Sequence, residues 1–256
     1  MKLNGKIRLF LMVTFCNMFL TGVCLSAAGQ RGMPGGWENG GAEMVNSVPA
    51  ADTAGSTGLI SADSGMELTA DSEKLMALTF DDGPHKVHTK RLLDGLKERG
   101  VKASFFVVGE NIPGNEELVR QMAEDGHFIG IHCYSHVDLT KRTTEDSCRD
   151  IIKTAELIED ITGRRPEYIR PPYGNWSEEL EECVGMTPVF WDIDTLDWQT
   201  QNSAKIQSHI VKQAGKHHVV LLHDVFSSSV NAALAAVDTL ANQGYTFVTV
   251  DDLLID

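Results

Sequence analysis

Two adjacent carboxylates stand in the first of five polar clusters of this chain, Thr79-Phe80-Asp81-Asp82-Gly83-Pro84, where Gly and Pro force a turn. Neighbours on an extended chain point to opposite faces. One acid can therefore bind a cation while the other handles protons, unless the turn brings them together. The second cluster, Gly130-Ile131-His132-Cys133-Tyr134-Ser135-His136, puts two imidazoles four residues apart, on one side of a helical turn, a metal-ligand spacing. Two His and one carboxylate leave positions open on a divalent ion, as a catalytic rather than a structural site requires. In the third, Ile169-Arg170-Pro171-Pro172-Tyr173-Gly174, two prolines stiffen the backbone behind Arg170. A guanidinium beside an Asp typically lowers its pKa by about 1–3 units, so Arg170 can hold a catalytic carboxylate ionised. The fourth, Trp191-Asp192-Ile193-Asp194-Thr195-Leu196-Asp197-Trp198, sets acids beside tryptophans, a composition suited to a sugar groove, with Trp191 expected in the core. The fifth, Val219-Val220-Leu221-Leu222-His223-Asp224, is a buried-type strand that delivers one His.

Each cluster alone has a plain reading as a turn, a surface loop or a structural histidine. Their placement argues otherwise. From Lys74 onward, short apolar runs alternate with amphipathic stretches. The expected strands are Leu75 to Phe80, Ala103 to Val108, Phe128 to Ile131, Tyr168 to Arg170, Pro188 to Asp192, Val219 to Leu222 and Thr246 to Val250. Helical spacing recurs over Thr89 to Arg99, Glu116 to Glu124, Thr144 to Ile161, Ala204 to Ala214 and Val230 to Asn242. Gly100, Gly126, Gly163 and Gly244 close four of these as helix C-terminal glycines do. Such alternation predicts an α/β fold of parallel strands with crossover helices, an open sheet or a barrel. In either, the clusters gather at the carboxyl-end rim, where active sites form.

The 256 residues are 42% hydrophobic, ample for a core. The formal net charge of −14 excludes nucleic acid as a partner, since phosphate neutralisation needs clustered Lys and Arg. Lys2, Lys6 and Arg8 precede an apolar stretch from Leu9 to about Leu25 and then Ser26, Ala27 and Ala28, the layout of an export signal over residues 1–28. That stretch is either cleaved after Ala28 or retained as an N-terminal membrane anchor. Residues 29–72, rich in Gly, Ala, Ser and Asn, read as a flexible linker, and residues 73–256 as the catalytic domain. Cys133, Cys148 and Cys183 have no C-x-x-C spacing and allow at most one internal bridge.

Taken in order, T-F-D-D-G-P, H-x-x-x-H, R-P-P-Y-G, D-T-L-D-W and L-L-H-D resemble the five motifs of the polysaccharide deacetylases of carbohydrate esterase family 4, the nodulation-B homology domain. The resemblance covers Leu75 to about Leu254. It implies a distorted (β/α) barrel of seven strands holding a divalent metal, commonly zinc and sometimes cobalt or nickel. Carried over by motif, Asp82, His132 and His136 would be the metal ligands and Asp81 the general base. Arg170 would orient Asp81, His223 would be the general acid with Asp197 as its partner, and the backbone N–H of Tyr173 would stabilise the oxyanion. Trp176 and Trp198, with Tyr173, are the candidate sugar contacts. The chain departs from the family at Cys133, where Thr or Ser is usual. The thiol is either a benign small replacement or a group that approaches the metal and oxidises.

The resemblance and the export signal point to removal of acetyl groups from N-acetylglucosamine of cell-wall peptidoglycan, outside the plasma membrane. N-acetylmuramic acid, chitin oligomers and O-acetyl groups on xylan are alternative substrates. A catalytically silent carbohydrate-binding protein would need no complete set of acid, base and ligands. A glycoside hydrolase with two carboxylates would leave the three histidines without a role.

Overall fold

The computed structural model describes residues 74–254, so the expected export signal and the linker lie outside the described residues. Strand β1 (Lys74–Asp81) is buried from Met76 onward because its apolar run is nearly continuous, as a parallel strand covered on both faces demands. It is followed by helix α1 (His88–Glu98), β2 (Ser104–Val107), α2 (Glu116–Glu124), β3 (Phe128–Ile131), α3 (Thr144–Thr162), β4 (Tyr168–Ile169), α4 (Glu178–Val184) and β5 (Thr187–Pro188). Then come β6 (Ile193–Asp194), α5 (Asp197–Thr200), α6 (Ser203–Gln213), β7 (His218–His223), α7 (Ser227–Ala241), β8 (Tyr245–Phe247) and α8 (Val250–Leu254).

All strand pairs are parallel, in the order β5-β4-β3-β2-β1-β7-β6, with β8 added to the start of β1. Seven strands thus form the curled path of a distorted (β/α) barrel, and the eighth is a short addition. Phe80, Phe105, Ile131, Ile169, Leu222 and the inward faces of α1, α3 and α7 fill the core. Every one of the expected glycines sits at positive φ, between 63° for Gly100 and 82° for Gly244, where a helix must end without a Cβ penalty. Among the described residues no helix is long and apolar enough to cross a membrane.

Three local expectations differ from the structure, each for a definable reason. The run Pro188 to Asp192 is not one strand. The carbonyls of Val189 and Phe190 accept from the Arg170 guanidinium, at 3.2 and 3.1 Å, instead of joining a ladder. The run Thr246 to Val250 leaves the sheet after Phe247, because Thr249 and Asp252 form a side-chain cap (2.8 Å) that starts α8. Helix α4 is short and buries one residue, Leu180, so its period is hard to see, although Gly185 closes it in the left-handed region.

The one bridge that the cysteine count allows joins Cys148 on α3 to Cys183 on α4, 35 residues apart. Closing a loop of that length should stabilise the fold by about 3–4 kcal/mol through the unfolded state. The Cys148→Ser/Cys183→Ser variant is expected to lose about that much in urea denaturation under oxidising conditions, and reduction should bring the native protein to the same value.

Candidate metal and catalytic centre

The turn after β1 decides how the two acids are used. Asp81 ends the strand, and Asp82 has φ of 73°, which swings its carboxylate back toward the same side. The turn therefore overrides the alternation of the extended chain. Gly83 is needed beside it: a Cβ there would lie 2.5 Å from both carboxylate oxygens of Asp224. Asp224 is fully buried, accepts from the Thr89 hydroxyl, and is pushed up to about 7, first by burial and then by the charges of Asp82 and Asp81.

His132 follows β3, and His136 lies on the loop beyond it. The Nδ1 of His132 donates to the carbonyl oxygen of Arg170 at 2.6 Å, which leaves Nε2 bare and aimed into the site. Burial pushes this imidazole below its ordinary pKa, against the pull of Asp81 and Asp82, and so favours the neutral ring that a metal needs. His132 Nε2 lies 3.5 Å and His136 Nε2 3.3 Å from Asp82 Oδ1, an oxygen that is buried yet has no hydrogen-bond partner. One ligand atom from each of the three residues falls within 4.8 Å of the others. Convergence of a partnerless carboxylate oxygen with two imidazoles fits a single divalent cation of the kind that accepts nitrogen and oxygen ligands.

Cys133 stands between these ligands but belongs to the core. It is fully buried, its sulfur faces the backbone N–H groups of Val137, His136 and Ser135, and burial pushes the thiol up to about 12. The loop it starts is held from outside by Asp150 on α3, which accepts from Tyr134 N at 2.5 Å and from the Ser135 hydroxyl at 2.8 Å. Reading helical spacing over Thr144 to Ile161 does not single out Asp150. Its signal is an acid on the inward face of α3, in line with Ser147, Ile151 and Thr154.

Arg170 is the largest fully buried side chain among the described residues. Its Nη1 donates to Asp81 Oδ1 at 2.9 Å and to Thr79 Oγ1 at 2.6 Å, and its plane lies 4.3 Å from the Phe106 ring centroid. Asp81 Oδ2 remains free of it, 3.8 Å from His132 Nε2. Across the sheet, His223 ends β7, and its Nδ1 donates to Asp197 Oδ1 at 2.8 Å while its backbone N–H donates to Oδ2 at 2.8 Å. Burial alone would lower the His223 pKa. The Asp197 hydrogen bond and charge outweigh it and bring the imidazole to about 9. Asp197 is itself wholly buried and held below the usual carboxylate range, because hydrogen bonds from His223 offset its own burial.

Tyr173, with φ of 61°, is exposed at the rim, its ring 5.2 Å from that of His136. The two candidate tryptophans part company. Trp198 is half exposed, while Trp176 packs against the core with its indole N–H buried and unpartnered. The structure thus brings Asp81, Asp82, His132, His136, Arg170, His223, Asp197 and Tyr173 together at one rim, while Trp176 packs partly buried against the core.

Residues 69–188 match the family model described as polysaccharide deacetylase. Over 182 residues the chain is 38% identical to peptidoglycan-N-acetylmuramic acid deacetylase PdaC of Bacillus subtilis, covering 71% of this chain and 39% of that one. It is equally 38% identical to peptidoglycan-N-acetylglucosamine deacetylase PgdA of Listeria monocytogenes, covering 72% and 40%. The chain spans about two fifths of the length of these relatives. The solved structure of the Bacillus subtilis peptidoglycan deacetylase PdaC superposes with a TM-score of 0.70 at 37% identity, covering 72% of this chain and 92% of that one.

Removing one member of a buried ion pair leaves the other charge unpaired and typically costs about 3–5 kcal/mol. Arg170→Met should lose stability on that order in urea denaturation. Adding Asp81→Asn to it should restore part of the loss, because the stranded charge is then gone.

Proposed function

The chain belongs to the polysaccharide deacetylase family, and from that premise we propose that it hydrolyses the N-acetyl groups of cell-wall peptidoglycan, at N-acetylglucosamine, with a divalent metal as cofactor. The observation that carries the reading is the partnerless Asp82 oxygen facing two imidazole nitrogens, flanked by an acid paired with a buried guanidinium and a histidine paired with a buried carboxylate. The match to the Listeria monocytogenes enzyme, whose name gives N-acetylglucosamine, supports that sugar. The equal identity to the Bacillus subtilis enzyme supports N-acetylmuramic acid as a second reading.

Asp82, His132 and His136 would hold the ion, zinc or else cobalt or nickel. When bound, such an ion acts as a Lewis acid that makes hydroxide available near neutral pH and polarises an acyl oxygen. Asp81 accepts the proton of the attacking water at Oδ2, while the Arg170 bond to Oδ1 fixes the plane of the carboxylate. His223 holds a proton at Nε2 for the departing nitrogen, since Nδ1 is committed to Asp197. Tyr173 would offer its backbone N–H to the developing oxyanion. The half-exposed Trp198 would give a sugar ring an apolar face. The homologues' wall substrate and the expected export signal support a location outside the plasma membrane.

The test is acetate release by the full chain from N-acetylglucosamine oligomers and from purified peptidoglycan, after metal removal and resupply. We expect zinc or cobalt to restore release and Asp81→Asn to lower kcat by about 10²–10⁴-fold. Intact release from the metal-free protein would refute the reading. The pH dependence follows from His223. Its protonated form is needed and its pKa is raised to about 9, so activity is kept below that pH and lost as pH rises through it. In Asp197→Asn the alkaline limb should move to lower pH, because the charge that favours the imidazolium is gone.

A further inference from the structure

The loop that carries two of the three ligands does not hold itself. Cys133 and His136 both have positive φ, 54° and 48°, a region that residues with side chains enter only when their surroundings impose it. From inside the fold, the Cys133 sulfur faces three backbone N–H groups, but a thiol is a weak acceptor. Backbone bonds fix the carbonyls of the loop's first half: Gly109 N donates to Cys133 O at 3.0 Å and Glu110 N to Tyr134 O at 2.9 Å. Its donors are a separate matter.

Two of those donors, one backbone and one side-chain, meet one carboxylate. Asp150 Oδ1 accepts from Tyr134 N and Oδ2 from the Ser135 hydroxyl, so one side chain holds two of the three residues between the proposed ligands. Arg142 Nη1, 3.0 Å from Oδ2, balances the charge, and the Asp150 side chain is 8% exposed. Lys153, one turn along, lies 3.3 Å from the Tyr134 ring centroid. The helix that presents Asp150 is firmly placed. Thr143 caps its start, Gly163 closes its end, Ser147 donates to Leu139 O at 2.8 Å, and the bridge to Cys183 ties it to α4. An acid serving only the fold could be satisfied by Arg142. Two bonds to the loop, one of them at 2.5 Å, serve the geometry of the loop.

We propose that Asp150 is a positioning residue of the metal centre, one that sets the angle at which His132 and His136 meet Asp82 by holding two of the three residues between them. The proposal rests on the metal-centre reading above. It predicts an effect on metal affinity that ordinary loss of stability does not produce.

The test measures zinc affinity by competition with a chromophoric chelator, on the full chain, for the native protein, Asp150→Ala, Asp150→Asn and Cys148→Ser/Cys183→Ser. Loss of an outer partner of a metal ligand typically weakens binding by about 10–100-fold, and that is the result expected for Asp150→Ala. Asp150→Asn, which keeps an acceptor for the Tyr134 N–H, should recover part of it. The disulfide variant loosens the same helix without touching the loop and should bind zinc as the native protein does. With cobalt in place of zinc, the visible spectrum should change in Asp150→Ala and not in the disulfide variant. Native affinity in Asp150→Ala, or an equal loss in the disulfide variant, overturns the proposal. If Asp150→Ala does not fold, Ser135→Ala removes one of the two loop bonds and carries the same test, with native affinity again the overturning result. Failure of the native protein to bind zinc would instead overturn the metal-centre reading itself.

Discussion

A guanidinium enclosed in the core is the constraint on which the rest of the site depends. Arg170 has no exposed surface, and charge in such a place is tolerated only when every donor finds a partner. Its Nη1 meets Asp81 and Thr79, its Nε and Nη2 meet the carbonyls of Val189 and Phe190, and Phe106 lies against its face. The same residue's backbone carbonyl takes the Nδ1 proton of His132. One buried residue thus orients both the proposed base and a proposed metal ligand, on different strands. It also explains why the sheet is interrupted at β5, whose following carbonyls are used by the guanidinium.

The second charge pair, His223 with Asp197, mirrors the first in sign. Around Asp81 the partner is a cation; around His223 the partner is an anion, which raises the imidazole pKa to about 9. The two sit on neighbouring strands, β1 and β7, with Asp81 in register with His223. The proposed base and the proposed acid are therefore held on the same rim beside partners of opposite charge, an arrangement that suits acid–base hydrolysis. Asp224, next to His223, is buried close to Gly83 of the turn that carries Asp82 and accepts from Thr89 of α1.

What could be read from the sequence was what periodicity and residue type encode. The apolar runs of β1, β3 and β7 and the closing glycines were legible because burial and positive φ restrict those positions to few residue types. The grouping of Asp81, Asp82, His132, His136, Arg170 and His223 was legible as a set, since each lies at the end of a strand or in the loop that follows one. Long-range contacts were not. Nothing near Val189 says that its carbonyl will face Arg170. Asp150 looks like any acid of a helix until the loop beside it is seen, and Trp176 looks like a sugar platform although it packs inward. Cys133 was open to two readings because only three dimensions tell whether a thiol faces a cation or a core; it faces the core.

The most direct measurement is X-ray absorption on the zinc-loaded protein, which reads the ligand set without reference to turnover. The account predicts nitrogen and oxygen neighbours at about 2.0–2.2 Å, with the outer-shell pattern of two imidazoles and no sulfur. A sulfur neighbour at about 2.3 Å, or a shell with fewer than two imidazoles, would contradict a centre built from Asp82, His132 and His136.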